Sequence, residues 1–483
     1  MTSSLEAASA PGAAKSFGDL SAYDAMGLAE LIRTKAITPK EVIEDTIRKI
    51  EAINPTLNAV ICKTYDRARQ AASGGHGVSP LAGAPFLVKD NATIAGIALT
   101  CGSRALRDKV TDTTAPFFAA TERAGLILVG VTNMSELGLI DGTENVHYGP
   151  TRNPWHLDYS PGGSSGGSAA CVAAGILPLA HGTDGGGSIR LPASHCGLFG
   201  LKASGGRLLS GRAANSLWPR LVDGCISRTV RDTAMYLSLV EEPRARFPKL
   251  GFVSKTSPRR LKIALIYEGM QGQAPHSEVR GAIARSAQLC RELGHTVEEA
   301  SPPLDLAKLA SAARQVADVE VAKTVDIIAR NRGITKLEDK FESRALGLRE
   351  KALRSGPFER QIAEALPILI AGTAALDQFF QSWDVMLSPV ARAPVFKTGM
   401  RDQSKFSFEE LDEILIDYAA YTSLHNICGT PAMSVPLGWD ATRLPIGSQF
   451  STRKGGDSTL LELAYGLEEA QPWAGRRPPI FVR

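Results

Sequence analysis

The fold is decided by residues 161–204, which read PGGSSGGSAACVAAGILPLAHGTDGGGSIRLPASHCGLFGLKAS. Two glycine–serine clusters stand in this stretch, at residues 162–168 and 184–190. Each lies beside an apolar segment that must be buried, which argues against a flexible linker. Glycines next to serines let the backbone adopt conformations closed to other residues, and they expose N–H groups that can bind an anion. The stretch therefore predicts a structured site between buried elements.

Helical patterns alternate with apolar runs on both sides of this stretch. Within residues 168–181, SAACVAAG predicts a helix and ILPLA a strand, and residues 115–133 repeat that order. In residues 81–90 the apolar run FLV predicts a strand that delivers Lys89 at its end. Continuous apolar strands after helices are typical of parallel sheets that are covered on both faces. The sequence therefore predicts an α/β fold, with a central mixed, largely parallel twisted sheet between helices.

Composition and patterning also predict how the chain is organised. Residues 1–19 are rich in Ala and Ser and lack a basic start followed by an apolar run, so they predict a disordered tail and not a secretory signal. Residues 20–483 are predicted to form a single domain. A mostly helical region with alternating charges, around residues 304–382, is expected to shape the substrate pocket.

Two local signals bound the second helix. Thr38 can cap it, Pro39 suits its first turn, and Glu41 completes a capping box. The pair Asn54–Pro55 predicts its end, because a proline is disfavoured further inside a helix. A strand is then predicted from Leu57 onward, over LNAVI.

Charge and cysteine content argue against several classes of protein. The chain has 54 basic and 50 acidic residues, a net charge of +4, and no dense Lys/Arg block, so nucleic acid and anionic membranes are not expected partners. Its seven cysteines are widely spaced without a CxxC pair, which argues against disulfides and a zinc site. No run of 18 apolar residues occurs. We expect a cytoplasmic protein that needs no metal or cofactor and spans no membrane.

The first cluster also fits a different catalytic motif. Gly162-x-Ser164-x-Gly166 matches the GxSxG nucleophile elbow of α/β-hydrolases, and so does the triplet one residue later. That fold requires an acidic residue and then a histidine downstream. Five histidines follow, and none of them lies in a sequence context that marks it as catalytic. A phosphate-binding loop is less favoured still, because GxxxxGK[ST] does not occur.

Spacing and further motifs favour a third interpretation. Ser188 follows Ser164 by 24 residues, and Lys89 precedes Ser164 by 75. With VKDN around Lys89, GVTNMSELG, TRNPW and GTPAMSVPLG follow in order at residues 130–138, 151–155 and 429–438. From about Leu20 to Phe481 the chain resembles the amidase signature family. Within it, the chain is most similar to the branch of 6-aminohexanoate cyclic dimer hydrolase, aryl acylamidases and urethane-cleaving amidases.

The resemblance implies an amidase signature fold and a Ser–Ser–Lys triad. Ser188 would be the nucleophile, Ser164 the bridging serine after a cis peptide from Gly163, and Lys89 the base. A serine needs a base to take its proton, and a lysine can do so only when neutral, which burial favours. Backbone N–H groups would bind the oxyanion, those of Gly185, Gly186, Gly187 and Ser188. Supporting contacts are expected from Ser165, Thr183, Asp184 and Arg190.

These roles predict a serine amidohydrolase that forms an acyl-enzyme on Ser188. Its substrates would be small aryl, aliphatic or cyclic amides, with esters and carbamates (urethanes) as further candidates, and it would act as a monomer or homodimer. The alternatives are the glutaminase subunit of a tRNA-dependent amidotransferase and a catalytically idle binding protein. Many relatives have a larger residue in the first or second of the three positions before Ser188, so three glycines there would widen the floor of the acyl pocket or loosen the oxyanion loop. Trp218 and Phe379–Phe380 suggest an apolar lining, with core packing as the alternative.

Overall fold

A computed structural model describes residues 19–74, 77–210 and 221–483. The predicted tail, apart from Asp19, and Trp218 lie outside these residues. The described chain alternates helices with strands throughout. The helices are α1 (Ala25–Arg33), α2 (Pro39–Leu57), α3 (Tyr65–Ala72), α4 (Pro116–Arg123), α5 (Gly166–Ala173), α6 (Arg190–Cys196), α7 (Val230–Leu239), α8 (Ser277–Glu292), α9 (Leu306–Arg332), α10 (Ser343–Arg354), α11 (Phe358–Ser382), α12 (Phe408–Tyr418), α13 (Ser423–Ile427) and α14 (Asp457–Ala470). The strands are β1 (Val60–Lys63), β2 (Pro85–Lys89), β3 (Ile127–Thr132), β4 (Leu179–Asp184), β5 (Phe199–Lys202), β6 (Val222–Ser227), β7 (Lys262–Leu265), β8 (Thr296–Glu299), β9 (Val385–Pro389), β10 (Ala432–Trp439) and β11 (Pro445–Ser451).

The described strands form one large and one small sheet. The large sheet has eight strands in the order β4-β6-β5-β10-β11-β9-β7-β8, and the small sheet has the order β1-β3-β2. A mixed sheet, as predicted, is confirmed, but the large sheet is not largely parallel. Only β7 pairs in parallel, with β8 and β9, and the other described pairs in this sheet are antiparallel. The prediction failed because a strand covered on both faces has a continuous apolar sequence whichever way its neighbours run.

Helices cover both faces of the large sheet, as predicted. Side chains along a strand point alternately to opposite faces, and β7 shows this. Ile263 and Leu265 belong to a core cluster with residues of α7, α8 and α14, whereas Ala264 packs with residues of α9 and α11. On β4 the same alternation puts Leu179 in the first cluster and Ala180 with residues of α5 and α6. The sheet is therefore the central layer of the fold.

Helix α2 begins as predicted and ends later. Thr38 Oγ1 accepts the N–H of Glu41, and the Glu41 carboxylate accepts the N–H of Thr38, which completes the capping box. The helix continues through Pro55 to residue 57, so its predicted end before Asn54 is wrong. Asn54 ties this last turn to the next strand, since its side chain accepts the N–H of Val60 and donates to the carbonyl of the same residue. Strand β1 accordingly begins at Val60 and not at residue 57.

The region around residues 304–382 is helical, as predicted, and consists of α9, α10 and α11. Leu309, Ala313 and Val316 of α9 share a buried cluster with Leu369 and Leu376 of α11. By length and composition alone, α11 is the one helix in the described ranges that could cross a membrane, where none was predicted. Core helices of soluble proteins meet the same criterion, and one face of α11 is packed against α9.

A pair of substitutions on α11 tests this packing. Leu376 is fully buried, and Leu376→Ala should lower the free energy of unfolding by about 2–5 kcal/mol, because it removes apolar contacts and leaves a cavity. Ile370 on the same helix is 60% exposed, and Ile370→Ala should change it by less than about 0.5 kcal/mol. Urea unfolding followed by circular dichroism measures both. Equal losses in the two variants would contradict this packing of α11.

Candidate active site

Lys89 ends strand β2, as predicted, and its side chain is fully buried. Its Nζ donates hydrogen bonds to three hydroxyl oxygens: Ser164 Oγ at 2.7 Å, Ser165 Oγ at 2.9 Å and Thr183 Oγ1 at 3.0 Å. Asn91 also donates to Thr183 Oγ1, at 3.0 Å. The structure thus brings together four residues that the sequence singled out from three separate segments.

The next residue, Asp90, organises a neighbouring turn. Its carboxylate accepts hydrogen bonds from the N–H groups of Thr100 and Gly102, at 2.9 and 2.8 Å, and from the Thr100 hydroxyl. Burial raises the pKa of this carboxyl to about 6, against the effect of those hydrogen bonds. Asp90 therefore holds the chain that follows Lys89 in place.

Close backbone packing positions Ser164. The peptide between Gly163 and Ser164 is cis, as the family resemblance implied. A Cβ on Gly163 would lie 2.3 Å from the carbonyl oxygen of Gly142, so no larger residue fits there. Thr143 Oγ1 bridges the turn, because it donates to Gly162 O at 2.8 Å and accepts the N–H of Gly166 at 3.0 Å. The first glycine–serine cluster is thus a fixed turn before α5.

A buried ion pair supports the loop that carries Ser188. Arg190 donates through Nε and Nη2 to the two carboxylate oxygens of Asp184, at 2.9 and 2.8 Å. Burial alone would raise the pKa of the Asp184 carboxyl, but the Arg190 guanidinium and the hydrogen bonds it accepts hold that pKa well below its usual range. Arg190 also donates to Thr422 O, Asn426 Oδ1 and Gln449 Oε1, each within 2.8 Å. The pair therefore joins β4, α6, α13 and β11.

Three of the four predicted oxyanion donors are available. The N–H groups of Gly185, Gly186 and Ser188 make no hydrogen bond with another residue in the described ranges. The N–H of Gly187 donates instead to Asp184 Oδ1 at 2.8 Å, so its predicted role as an oxyanion donor is wrong. The sequence could not show this, because a glycine run does not reveal which way each peptide points.

One of the five histidines that follow the GxSxG match is engaged with a tyrosine. His195 is buried, and its Nε2 shares a hydrogen bond of 2.7 Å with the Tyr418 hydroxyl. Burial lowers the pKa of His195 to about 3. In the described part of the chain, no group of three or more His, Cys, Asp or Glu side chains could hold a metal ion.

Comparison with known proteins identifies the family to which these features belong. The model of the Amidase family matches residues 41–461. The chain belongs to the amidase signature family. As a member it is a hydrolase that acts on C–N bonds of amides, which confirms the resemblance and the class of enzyme predicted from the sequence.

Relatives match this amidase over almost its whole length. A protein of Mycobacterium leprae that is assigned to the amidases as AmiC is 36% identical, over 95% of this chain and 97% of its own. The 6-aminohexanoate-cyclic-dimer hydrolase of Paenarthrobacter ureafaciens is 31% identical, with coverages of 95% and 97%. A substrate complex of a 6-aminohexanoate cyclic dimer hydrolase superposes with a TM-score of 0.89 at 30% identity, covering 96% of this chain and 100% of that one. A bacterial aryl acylamidase superposes with a TM-score of 0.83 at 30% identity, with coverages of 94% and 99%.

Two buried glutamates link the helical region of this amidase to the segment beside Ser164. Glu136 accepts hydrogen bonds from Ser103 Oγ at 2.6 Å and from the N–H of Glu342, just before α10, at 2.8 Å. Two residues after Glu136, Gly138 lies against Ser164, because a Cβ there would be 3.2 Å from Ser164 Oγ. Burial raises the pKa of both carboxyls, and the charge of Glu136 raises that of Glu342 further.

These raised pKa values predict a pH dependence of stability. Above pH 4.5, the ordinary carboxyl value, the folded protein retains protons that the unfolded chain has released, so its stability should fall as the pH rises. Glu136→Gln keeps the shape of the side chain and removes its titration, so the melting temperature of the variant minus that of the wild type should increase as the pH rises from 4.5 to about 7, the pKa of Glu136 in the folded protein. Differential scanning fluorimetry measures the difference, with exposed Glu364→Gln as the control. A difference that stays constant with pH would contradict the prediction.

Proposed function

We propose that this amidase cleaves small aryl, aliphatic or cyclic amides, and also esters and carbamates, through an acyl-enzyme on Ser188. The observation that carries the proposal is the 2.7 Å contact between Lys89 Nζ and Ser164 Oγ, inside a buried ring of hydroxyls. Such a ring can hold a lysine in contact with hydroxyl groups that lose and regain protons. Ser188 follows Thr183 by five residues, on the loop that leaves the same strand.

Proton transfer in the proposed relay runs inward from the nucleophile. Neutral Lys89 takes the hydroxyl proton of Ser164, which takes that of Ser188, and Ser188 Oγ forms a bond to the substrate carbonyl carbon. A hydroxyl is a weak nucleophile until this proton leaves, so the base sets the rate of attack. The carbonyl π pair moves to oxygen and gives a tetrahedral oxyanion.

The loop before Ser188 is suited to stabilise that oxyanion. The unengaged N–H groups of Gly185, Gly186 and Ser188 are the proposed donors. Because the loop is fixed by Asp184 and Arg190, these dipoles need no reorganisation as charge develops, and one such donor typically contributes about 2.7–4 kcal/mol to lowering the barrier.

The second half of the reaction reverses the relay. When the oxyanion collapses, the C–N bond breaks and the leaving amine receives the proton stored on Lys89. Water then attacks the Ser188 ester, loses a proton to the same relay, and releases the carboxylic acid. A carbamate follows the same route: it releases a carbamic acid, which loses carbon dioxide to give an amine, or a carbonic acid monoester, which loses carbon dioxide to give an alcohol.

The substrate class in this proposal draws on relatives and on the glycine run. The relatives include a cyclic-dimer hydrolase and an aryl acylamidase, which supports amides with bulky substituents. Among the described residues, a Cβ on Gly186 would meet nothing within 4 Å, which supports space beside the reacting carbonyl. We also propose that α9–α11 form the pocket wall, because Val325, Phe341 and Ala345 of this region share an apolar cluster with Leu137 and Leu139. These two leucines flank Gly138, where a Cβ would lie 3.2 Å from Ser164 Oγ.

Kinetics of triad variants test the catalytic roles. On a chromogenic anilide, kcat/KM should rise with pH as a single base loses its proton. The variants Lys89→Ala, Ser164→Ala and Ser188→Ala should each lower kcat by about 10³-fold or more. The matched control is Lys405→Ala, which removes an exposed lysine paired with Asp402. Full activity of Ser188→Ala would rule out the proposed nucleophile. An inactive wild type on anilides, esters and carbamates would favour the amidotransferase alternative.

A covalent intermediate can be observed directly. With an activated p-nitrophenyl ester or carbamate, we expect a burst of p-nitrophenol of about one equivalent per active site, because acylation of Ser188 then precedes slower hydrolysis. Mass spectrometry of acid-quenched, digested protein should find the acyl group on the peptide that contains Ser188. Acylation of another residue in wild type, or an unchanged burst in Ser188→Ala, would contradict the proposal.

A further inference from the structure

We propose that Thr422 is a positioning residue for the oxyanion donors, and this inference rests on the proposed function. Its hydroxyl donates to the carbonyl oxygen of Gly186 at 2.5 Å. Thr422 lies 234 residues after Ser188 in the sequence and belongs to no motif of the glycine-rich stretch. By this contact it would fix the peptide between Gly186 and Gly187 and thereby the direction of the neighbouring N–H groups.

The other carbonyl groups around the nucleophile show why this contact matters. Asp184 O accepts from Asn426 Nδ2 at 3.0 Å, and Gly187 O accepts the N–H of Leu191 at 2.7 Å. In a trans peptide the C=O and N–H groups point to opposite sides. Because these two carbonyls point toward Asn426 and Leu191, the N–H groups of Gly185 and Ser188 point to the opposite side of the loop.

The peptide between Gly186 and Gly187 is held at both ends. Thr422 binds its carbonyl, and Asp184 Oδ1 accepts its N–H at 2.8 Å. Gly187 has φ +131°, a conformation favoured only by glycine, and no atom of residues 19–74, 77–210 or 221–483 would lie within 4 Å of a Cβ on Gly186. Because glycines restrict their own rotation so little, the contacts at this peptide are what give the loop one conformation.

Thr422 is itself rigidly placed. It is fully buried, and its carbonyl accepts from Arg190 Nη1 at 2.8 Å. A Cβ on Gly187 would lie 2.5 Å from Thr422 Oγ1, so the threonine packs directly against the loop. The Arg190 guanidinium therefore binds both Asp184 and Thr422, and Thr422 in turn binds Gly186. One side chain thus stabilises both halves of the loop.

Substitution of the hydroxyl by a methyl group tests the inference. Thr422→Val keeps the volume and removes the donor, so we expect kcat on an anilide to fall about tenfold or more with KM within about twofold, since the donors act mainly on the oxyanion. Thr422→Ser restores the hydroxyl and should recover most of kcat. The affinity for a boronic acid inhibitor, whose boronate oxygen mimics the oxyanion, should fall in parallel with kcat.

The outcomes separate this inference from the proposed function. Wild-type kcat in Thr422→Val, with Ser188→Ala inactive in the same assay, would overturn the positioning role and leave the triad standing. A loss of kcat that Thr422→Ser does not recover, or that leaves boronate affinity unchanged, would also overturn it and indicate a packing defect. Activity in Ser188→Ala would instead reject the proposed nucleophile.

Discussion

The buried ion pair between Asp184 and Arg190 is the contact on which the rest of the site depends. Removing either charge would leave the other uncompensated in a dry interior, a situation that is strongly destabilising. The pair therefore fixes where β4 ends and α6 begins, with the candidate nucleophile between them. Through the remaining donors of Arg190 it also fixes α13 and β11. Four elements from two segments that are distant in the chain thus meet at one ion pair, and their packing around it holds the loop rigid.

Glycine makes this compact arrangement possible. At Gly163 and Gly166 a Cβ would collide with Gly142 O and with Thr143 Oγ1, each at 2.3 Å. Only a residue without a side chain lets these segments approach so closely. The same absence of side chains leaves the backbone polar groups free to serve as the binding groups of the site. The glycine–serine clusters, which have the composition of a flexible linker, are therefore tightly packed. Neighbouring residues fix the orientation of their backbone polar groups.

Local signals in the sequence predicted what depends on local chemistry. The strand that ends at Lys89, the capping box of α2 and the two glycine–serine turns are each encoded within a few residues, and all are present. The direction of each strand could not be predicted in this way, because a run buried on both faces is apolar whichever way its neighbours run. Most pairs in the large sheet are in fact antiparallel. Family spacing indicated that Lys89 and Ser164 meet. It could not indicate the contacts of Thr422 and Asn426, since a threonine or an asparagine in a helical segment carries no distinguishing pattern.

Lys89 and Ser188 belong to different sheets. Strand β2 of the small sheet carries the lysine, and β4 of the large sheet leads to the serine loop; the N–H of Lys89 donates to His181 Nδ1 of β4 at 3.2 Å. Neither sheet alone contains both ends of the proposed relay. With this relay, reactivity would be a property of the assembled chain, and a nascent or partly unfolded chain that has formed only one sheet would carry an ordinary serine or an ordinary lysine. The enzyme would become active only when the two sheets pack together, so turnover would report completed folding.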